Sequence, residues 1–229
     1  TMSSLKRPPV PKAKKPLDGR KFLIVEGGSF NPPHYLHMRN LEMARDRLIE
    51  LGATVLGGVL SPVGDSYAKP GLLPAKHRIA MCQLACEESD WIVTDSWECS
   101  QATQPTTFKV LEHFTEELRR KDGGSLETST YGAAPILVCG ADLIESFSVP
   151  GLWDPVEVDQ LYSRFGIVCI ARKGSEVTPH AGLIVVEPTV TNDVSSTKIR
   201  DCIKTKKSVA FLLPASVISY IKQHCLYWR

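Results

Sequence analysis

Nowhere in the 229-residue sequence does an apolar run approach the roughly 18 residues that a bilayer-spanning helix requires. The first twenty residues are polar and proline-rich, without the apolar segment of a secretory signal. C-x-x-C pairs are also missing. The seven cysteines, Cys82, Cys86, Cys99, Cys139, Cys169, Cys202 and Cys225, are odd in number, and several fall inside apolar runs. Neither a disulfide framework nor a thiolate zinc site is expected from that pattern. No G-x-G-x-x-G occurs, so the dinucleotide fingerprint is absent, and no G-x-x-x-x-G-K-[ST], so this is not a P-loop protein. A soluble intracellular protein with reduced thiols and no membrane partner is the expectation.

Charge of one sign is scarce overall, with a net +2, but it is unevenly spread. Residues 1–21 carry seven basic side chains against Asp18, which leaves 20 basic and 24 acidic residues in the remainder. A slightly acidic body is not that of a general nucleic-acid binder, and no specific nucleic-acid partner is expected. Residues 1–20, with Pro8, Pro9, Pro11 and Pro16, read as a disordered basic leader. It is a passive solvated tail, a nuclear-import patch or a weak polyanion contact. The expected location is therefore cytoplasmic, with the nucleus open through the leader.

With 43% hydrophobic residues, positions 21–229 can bury the core of one domain, its C-terminal helical part covering about 193–229. Phe22–Val25, Thr54–Leu60, Trp91–Thr94, Pro135–Cys139, Gly166–Ala171 and Leu183–Val186 are short apolar runs without helical period and predict buried strands. Helical spacing predicts helices over Leu36–Leu51, Pro74–Glu88, Thr107–Lys121, 157–164, 195–204 and 214–225, and residues 122–133 read as a surface loop. Strands buried on both faces and separated by helices imply an α/β fold: a Rossmann-like, doubly wound, mostly parallel sheet with helices on both faces and a small C-terminal helical subdomain. In such sheets ligands bind beyond the carboxyl ends of the strands.

Two motifs fall at such ends. Gly27-Gly28-Ser29-Phe30-Asn31-Pro32-Pro33-His34-Tyr35-Leu36-His37 runs from a strand through a glycine turn into a helix. Glycine lets backbone approach a phosphate, and the helix start offers unpaired N–H groups. His34 and His37 share one helical face there, each able to donate to a phosphate oxygen while its other nitrogen is fixed by a neighbour. The alternative is two surface histidines after an ordinary βα turn. Further on, Asn192-Asp193-Val194-Ser195-Ser196-Thr197-Lys198-Ile199-Arg200 opens a second helix, with Ser195 as N-cap and Lys198 and Arg200 beside the exposed amides. It reads as a second anion site, or as a capped surface helix with ordinary charges.

Together the motifs resemble the histidine pair and the S-S-T-x-[IL]-R signature of the nucleotidyltransferase superfamily. Ser61–Tyr67, Lys69, Asp95 with Trp97-Glu98, Thr107, Cys139–Leu143, Glu145–Phe147 and Leu152-Trp153 narrow the resemblance to the eukaryotic-type nicotinamide/nicotinate mononucleotide adenylyltransferases, over residues 22 to about 227. That resemblance implies AMP transfer from ATP to the 5′-phosphate of NMN or NaMN, giving NAD or its deamido form and pyrophosphate. It implies catalytic roles for His34, His37, Lys198 and Arg200. ATP would lie on Gly28, Ser29, Phe30, His37, Gly140, Asp142, Asn192, Ser195, Ser196, Thr197, Lys198, Ile199 and Arg200. The mononucleotide would lie on Ser29, Phe30, Tyr67, Lys69, Gln104, Thr107, Leu152 and Trp153, with Trp153 stacked on the pyridine ring.

Three positions depart from the family pattern. Gln104 stands at a second aromatic position, Pro188 where a glutamate is common, and Leu36 where many relatives have glycine between the histidines.

The implied reaction needs no enzyme base, because the attacking phosphate monoester has a second pKa of about 6 and is mostly dianionic at neutral pH. Catalysis reduces to aligning two polyanions and stabilising the departing pyrophosphate, with His34, His37, Lys198 and Arg200 expected to supply charge. Mg²⁺ is expected to arrive with ATP, held by substrate phosphates and water with no ligand from the protein. A homo-oligomer is compatible with the sequence. Three alternatives stay open at this point: a superfamily relative acting on phosphopantetheine, FMN or a phospho-alcohol; an inactive nucleotide binder; and a tRNA-synthetase-like fragment.

Overall fold

The computed structural model describes residues 15–122, 132–172, 174–175 and 177–228. Most of the leader and the loop predicted at 122–133 lie outside these residues. Six strands, β1 (Lys21–Gly28), β2 (Thr54–Pro62), β3 (Ile92–Thr94), β4 (Ala133–Gly140), β5 (Ile167–Ile170) and β6 (Leu183–Val186), form one sheet in the order β3-β2-β1-β4-β5-β6. Every pairing is parallel. The order reverses between β1 and β4, which opens a crevice beyond their carboxyl ends. The predicted α/β fold is the observed one.

Side chains alternate between the two faces as a pleated strand requires. Phe22 and Ile24 of β1, Ile136 and Val138 of β4 and Val168 and Ile170 of β5 pack against Leu41, Ala44 and Leu48 of α1 (Tyr35–Glu50). Cys82 and Cys86 of α2 (Ala75–Cys86) join the same cluster. Val25, Leu137, Cys139 and Ile167 point the other way, onto Val110, Leu111 and Phe114 of α4 (Thr107–Asp122). Between β3 and α4 lies a short α3 (Trp97–Ser100), and α5 (Ala141–Ser146) follows β4 without a break. The helix α6 (Pro155–Gln160) runs on as a π-helical turn over Leu161–Phe165.

The last two helices, α7 (Ser196–Lys204) and α8 (Ala215–Gln223), make a separate apolar cluster with α2: Met81 and Ala85 meet Ile199, Leu213, Val217 and Ile221. This is the C-terminal helical part, and α2 is its bridge to the sheet.

The ordered body starts earlier than Lys21. Leu17 donates its N–H to Leu51 O at 2.9 Å and packs against the α1-side core. Residues 15–20, read from sequence as the end of a disordered leader, thus form a turn against the end of α1. The close approach is made possible by Gly52, whose φ of 96° favours glycine and where a Cβ would lie 2.3 Å from Asp18 Oδ1.

Candidate active site

One cavity of about 910 Å³ occupies the crevice between β1 and β4. Its walls include Gly28, Ser29, Phe30, His34 and His37 from the first motif and Asn192, Ser195, Thr197, Lys198 and Arg200 from the second. Residues some 160 positions apart in sequence thus face one space, and the two anion-site readings become a single site. Gly140 and Asp142 join from the end of β4. A Cβ at Gly140 would sit 2.6 Å from Asp142 Oδ1, the free end of an exposed side chain, which would have to turn aside.

The two motifs are stitched together by hydrogen bonds to backbone carbonyls. Ser196 Oγ donates to Pro32 O at 2.8 Å, and Arg200 Nη1 donates to Asn31 O at 2.9 Å while its Nη2 reaches Thr197 Oγ1 at 3.2 Å. Ser195 caps α7 as predicted, accepting from Lys198 N. Lys198 Nζ pairs with the carboxylate of Asp193 and donates to Asp193 O at 3.1 Å. A phosphate entering here has to compete with that carboxylate for the ammonium.

Asn31 is the hub of the loop that follows β1. Its side chain is 2% exposed, donates to Gly71 O at 2.8 Å and accepts from Tyr227 Oη at 2.7 Å. Beneath it, Arg78 is fully buried and donates to Ser29 O, Leu73 O and Asp65 Oδ1 at 2.8–3.3 Å. Phe30, between these anchors, is held at φ 43°, a left-handed conformation costing about 1–2 kcal/mol for a non-glycine residue. Its burial at 2% exposure and the surrounding bonds hold it there.

His34 is the N-cap residue of α1, with extended backbone, rather than its first turn. Its backbone N–H donates to His37 Nδ1 at 3.1 Å, and the two rings stack with centroids 3.6 Å apart. Because Nδ1 of His37 accepts, the ring proton sits on Nε2, the tautomer that can donate to a phosphate oxygen. Burial pushes the His34 pKa down to about 4 and depresses that of His37 well below the ordinary range, with the neighbouring imidazole adding to the effect on His37. Both rings are therefore neutral at pH 7. The expectation that the histidines supply charge is corrected to this extent: neutral rings can offer hydrogen bonds only, and the cations in the wall are Lys69, Arg172, Lys198 and Arg200.

The residues expected around the pyridine ring lie elsewhere. Tyr67 and Lys69 line a second hollow of about 400 Å³, and among the described residues Lys69 alone lines both spaces. Lys69 Nζ donates to Ser29 Oγ at 3.0 Å, which sets it at the junction. Trp153 is half-buried, its Nε1 donating to Ser146 Oγ at 3.0 Å and its ring edge-on to Phe147. Leu152 is exposed and Thr107 begins α4; neither lines the large cavity.

Two of the expected contacts are corrected. Gln104 accepts from Gly64 N at 2.9 Å and donates to Glu98 Oε1 at 2.6 Å, so its amide braces the strand-end loops instead of facing a ligand. Ile199 is fully buried in the α2–α7–α8 cluster and anchors the helix that carries its charged neighbours. Two departures from the family pattern, Leu36 and Pro188, do line the cavity.

Sequence reasoning missed Glu26, Asn31, Asn40 and Arg172 in this wall. Asn31 stood inside the quoted motif, and its buried role had no local signal. Glu26 closes an apolar run, where a charged residue after four hydrophobic ones was itself the clue.

Comparison with known proteins bears on the family and the fold. The sequence profile of the cytidylyltransferase-like family matches residues 25–202. A nicotinamide/nicotinic acid mononucleotide adenylyltransferase of Oryza sativa is 41% identical over 219 residues, covering 90% of this chain and 85% of the rice protein. One from Arabidopsis thaliana is 40% identical over 219 residues, covering 90% of this chain and 89% of that protein. Among solved structures, Plasmodium falciparum nicotinic acid mononucleotide adenylyltransferase complexed with NaAD superposes with a TM-score of 0.65 at 22% identity, over 91% of this chain and 98% of that one. This last likeness is one of fold.

Proposed function

The chain belongs to the nicotinamide/nicotinic acid mononucleotide adenylyltransferases, within the cytidylyltransferase-like family, and we propose that it makes NAD or its deamido form by joining a pyridine mononucleotide to the AMP of ATP. The single observation that carries this reading is the convergence of His34, His37, Lys198 and Arg200 on one cavity at the reversal of the sheet. It is a nucleotidyltransferase of NAD biosynthesis acting on nucleotide substrates.

The 5′-phosphate of the mononucleotide, dianionic above a pKa of about 6, attacks the α-phosphorus of ATP in line. A P–O bond forms to the mononucleotide as the bond to the β-phosphate oxygen breaks, and pyrophosphate carries the electrons away. His37 donates from Nε2, and Lys198 and Arg200 stabilise the charge that gathers on the leaving group. Lys69, between the two spaces, is suited to hold the attacking phosphate. Proximity and alignment supply much of the remaining rate.

Mg²⁺ fits this site as an ion brought by ATP. Among the described residues no group of three or more His, Cys, Asp or Glu comes together to hold a metal, while Asp142 and Asp193, the latter paired with Lys198, are exposed carboxylates in the wall. A hard cation that keeps its waters and takes phosphate oxygens needs no more. When bound, it neutralises charge across the phosphate chain.

Incubating the purified protein with Mg²⁺–ATP and, separately, NMN, NaMN, phosphopantetheine and FMN tests the reading by pyrophosphate release. Turnover is expected with the pyridine mononucleotides. Release with phosphopantetheine or FMN in their place would overturn it.

A further inference from the structure

Among the described residues, two buried side-chain atoms have no hydrogen-bond partner, Glu26 Oε2 and His34 Nδ1, and both residues line the large cavity. His34 stacks on the donor His37, whereas the reaction as derived leaves Glu26 without a part. Glu26 is 5% exposed, near the carboxyl end of β1 and alternating with Phe22 and Ile24 towards the α1 face. Its Oε1 accepts from Asn40 Nδ2 on α1 at 3.1 Å. One oxygen is thus fixed against the helix, and the other is buried without a partner in a residue of the cavity wall.

Glu26 differs from the wall's other carboxylates, the exposed Asp142 and Asp193, in being buried, and it shares the cavity with the cations Lys69, Arg172, Lys198 and Arg200. Ionised, it repels a triphosphate; protonated, it becomes a hydrogen-bond donor to one. We propose that Glu26 is a further substrate-binding residue, a neutral carboxyl that donates a hydrogen bond from Oε2 to a phosphate oxygen of ATP. The inference rests on the cavity being the ATP site.

Burial sets the protonation state. It pushes the Glu26 pKa up to about 8, against the opposing hydrogen bond from Asn40. The groups around Glu26 are few. His34 and His37, at the start of α1, are neutral through burial. The Cys82 thiol on α2 is pushed up by burial, and that of Cys139 on β4 by its hydrogen bond with Cys169 and by burial. Cys169 on β5 is lowered by that same bond and faces Cys139. Asp142, Asp193 paired with Lys198, and the cations Lys69, Arg172 and Arg200 are the other charged groups of the cavity walls.

The sign follows from proton linkage. A carboxyl that must keep its proton to bind ATP gives full affinity below its own pKa. Affinity then falls as pH rises through about 8, by up to about tenfold per pH unit. The last proton of the phosphate chain, with a pKa of about 6, is gone below this window.

The test is ATP binding by calorimetry, without mononucleotide, from pH 6.5 to 9.5. Wild type is expected to hold a constant Kd to about pH 8 and weaken above it. Glu26→Gln, whose amide donates at every pH, is expected to show no alkaline climb. Glu26→Ala is expected to bind ATP roughly three- to tenfold more weakly at pH 7, the loss of one hydrogen bond. A flat wild-type profile overturns the proposal. So does an equal climb in Glu26→Gln, which would move the titration to Cys169, and so does wild-type affinity in Glu26→Ala. Pyrophosphate release by the same wild-type preparation at pH 7 keeps the underlying reading separate. Absent turnover with absent ATP binding overturns the ATP site itself, whereas normal turnover with a flat Kd profile overturns the role of Glu26 alone.

Discussion

The backbone N–H of His34 donates to Nδ1 of His37 at 3.1 Å, beneath two stacked imidazoles. One hydrogen bond therefore does two things: it satisfies an amide that the helix start would leave unpaired, and it decides which nitrogen of His37 carries the proton.

Replacing that donor removes a contact aimed at the departing pyrophosphate. His37→Ala is expected to cut kcat by about 10²-fold or more, as for loss of one oxyanion donor. Steady-state turnover at saturating ATP and mononucleotide checks it, and a kcat within threefold of wild type would take His37 out of the reaction.

The same pair makes the fold acid-sensitive. With the His34 pKa lowered to about 4 from an ordinary 6.5, its contribution to stability is fully present above pH 6.5 and is lost as pH falls through 4. That loss is on the order of 3 kcal/mol for His34 alone. Thermal unfolding between pH 7 and 4 should show a steeper decline in wild type than in His34→Gln. Parallel curves would refute the assignment.

Arg78 is the buried strut of the phosphate loop, with Ser29 O, Leu73 O and Asp65 all depending on it. Arg78→Ala should destabilise the protein by on the order of 3 kcal/mol, since a fully buried cation's hydrogen bonds to two half-buried carbonyls and a carboxylate are lost. Urea unfolding measures this; a shift under 1 kcal/mol would show that the loop holds itself.

Trp153 presents its ring in the loop after α5, fixed by Ser146 and Phe147. Trp153→Ala is expected to raise KM for the mononucleotide roughly tenfold through lost stacking, with KM for ATP little changed. The reverse pattern would remove the pyridine ring from this residue.

Much of this molecule could be read without coordinates, for identifiable reasons. The strands of the sheet interior are continuous apolar runs, and α1 and α4 carry long enough repeats to declare themselves. Residues Trp97–Ser100 and Ala141–Ser146 are helices too short to show a period, and the π-helical turn at Leu161–Phe165 follows from hydrogen-bond geometry with no sequence signature. In the site, glycines and charged residues near helix starts pointed to phosphate. What stayed hidden depended on burial. Ile199 sits between functional neighbours and turns inward, Gln104 is consumed by Gly64 and Glu98, and the histidines lose the charge that their residue type suggests.

The contact between Tyr227 Oη and Asn31 has a consequence for how the protein is made. It ties the loop after the first strand to a side chain 196 positions downstream. On a ribosome delivering some 5–20 residues per second, the nascent sheet can pair its early strands long before that tyrosine emerges. The triphosphate floor then waits for Tyr227 to emerge, so that a polypeptide released before that residue would carry the six paired strands and lack a finished seat for its substrate.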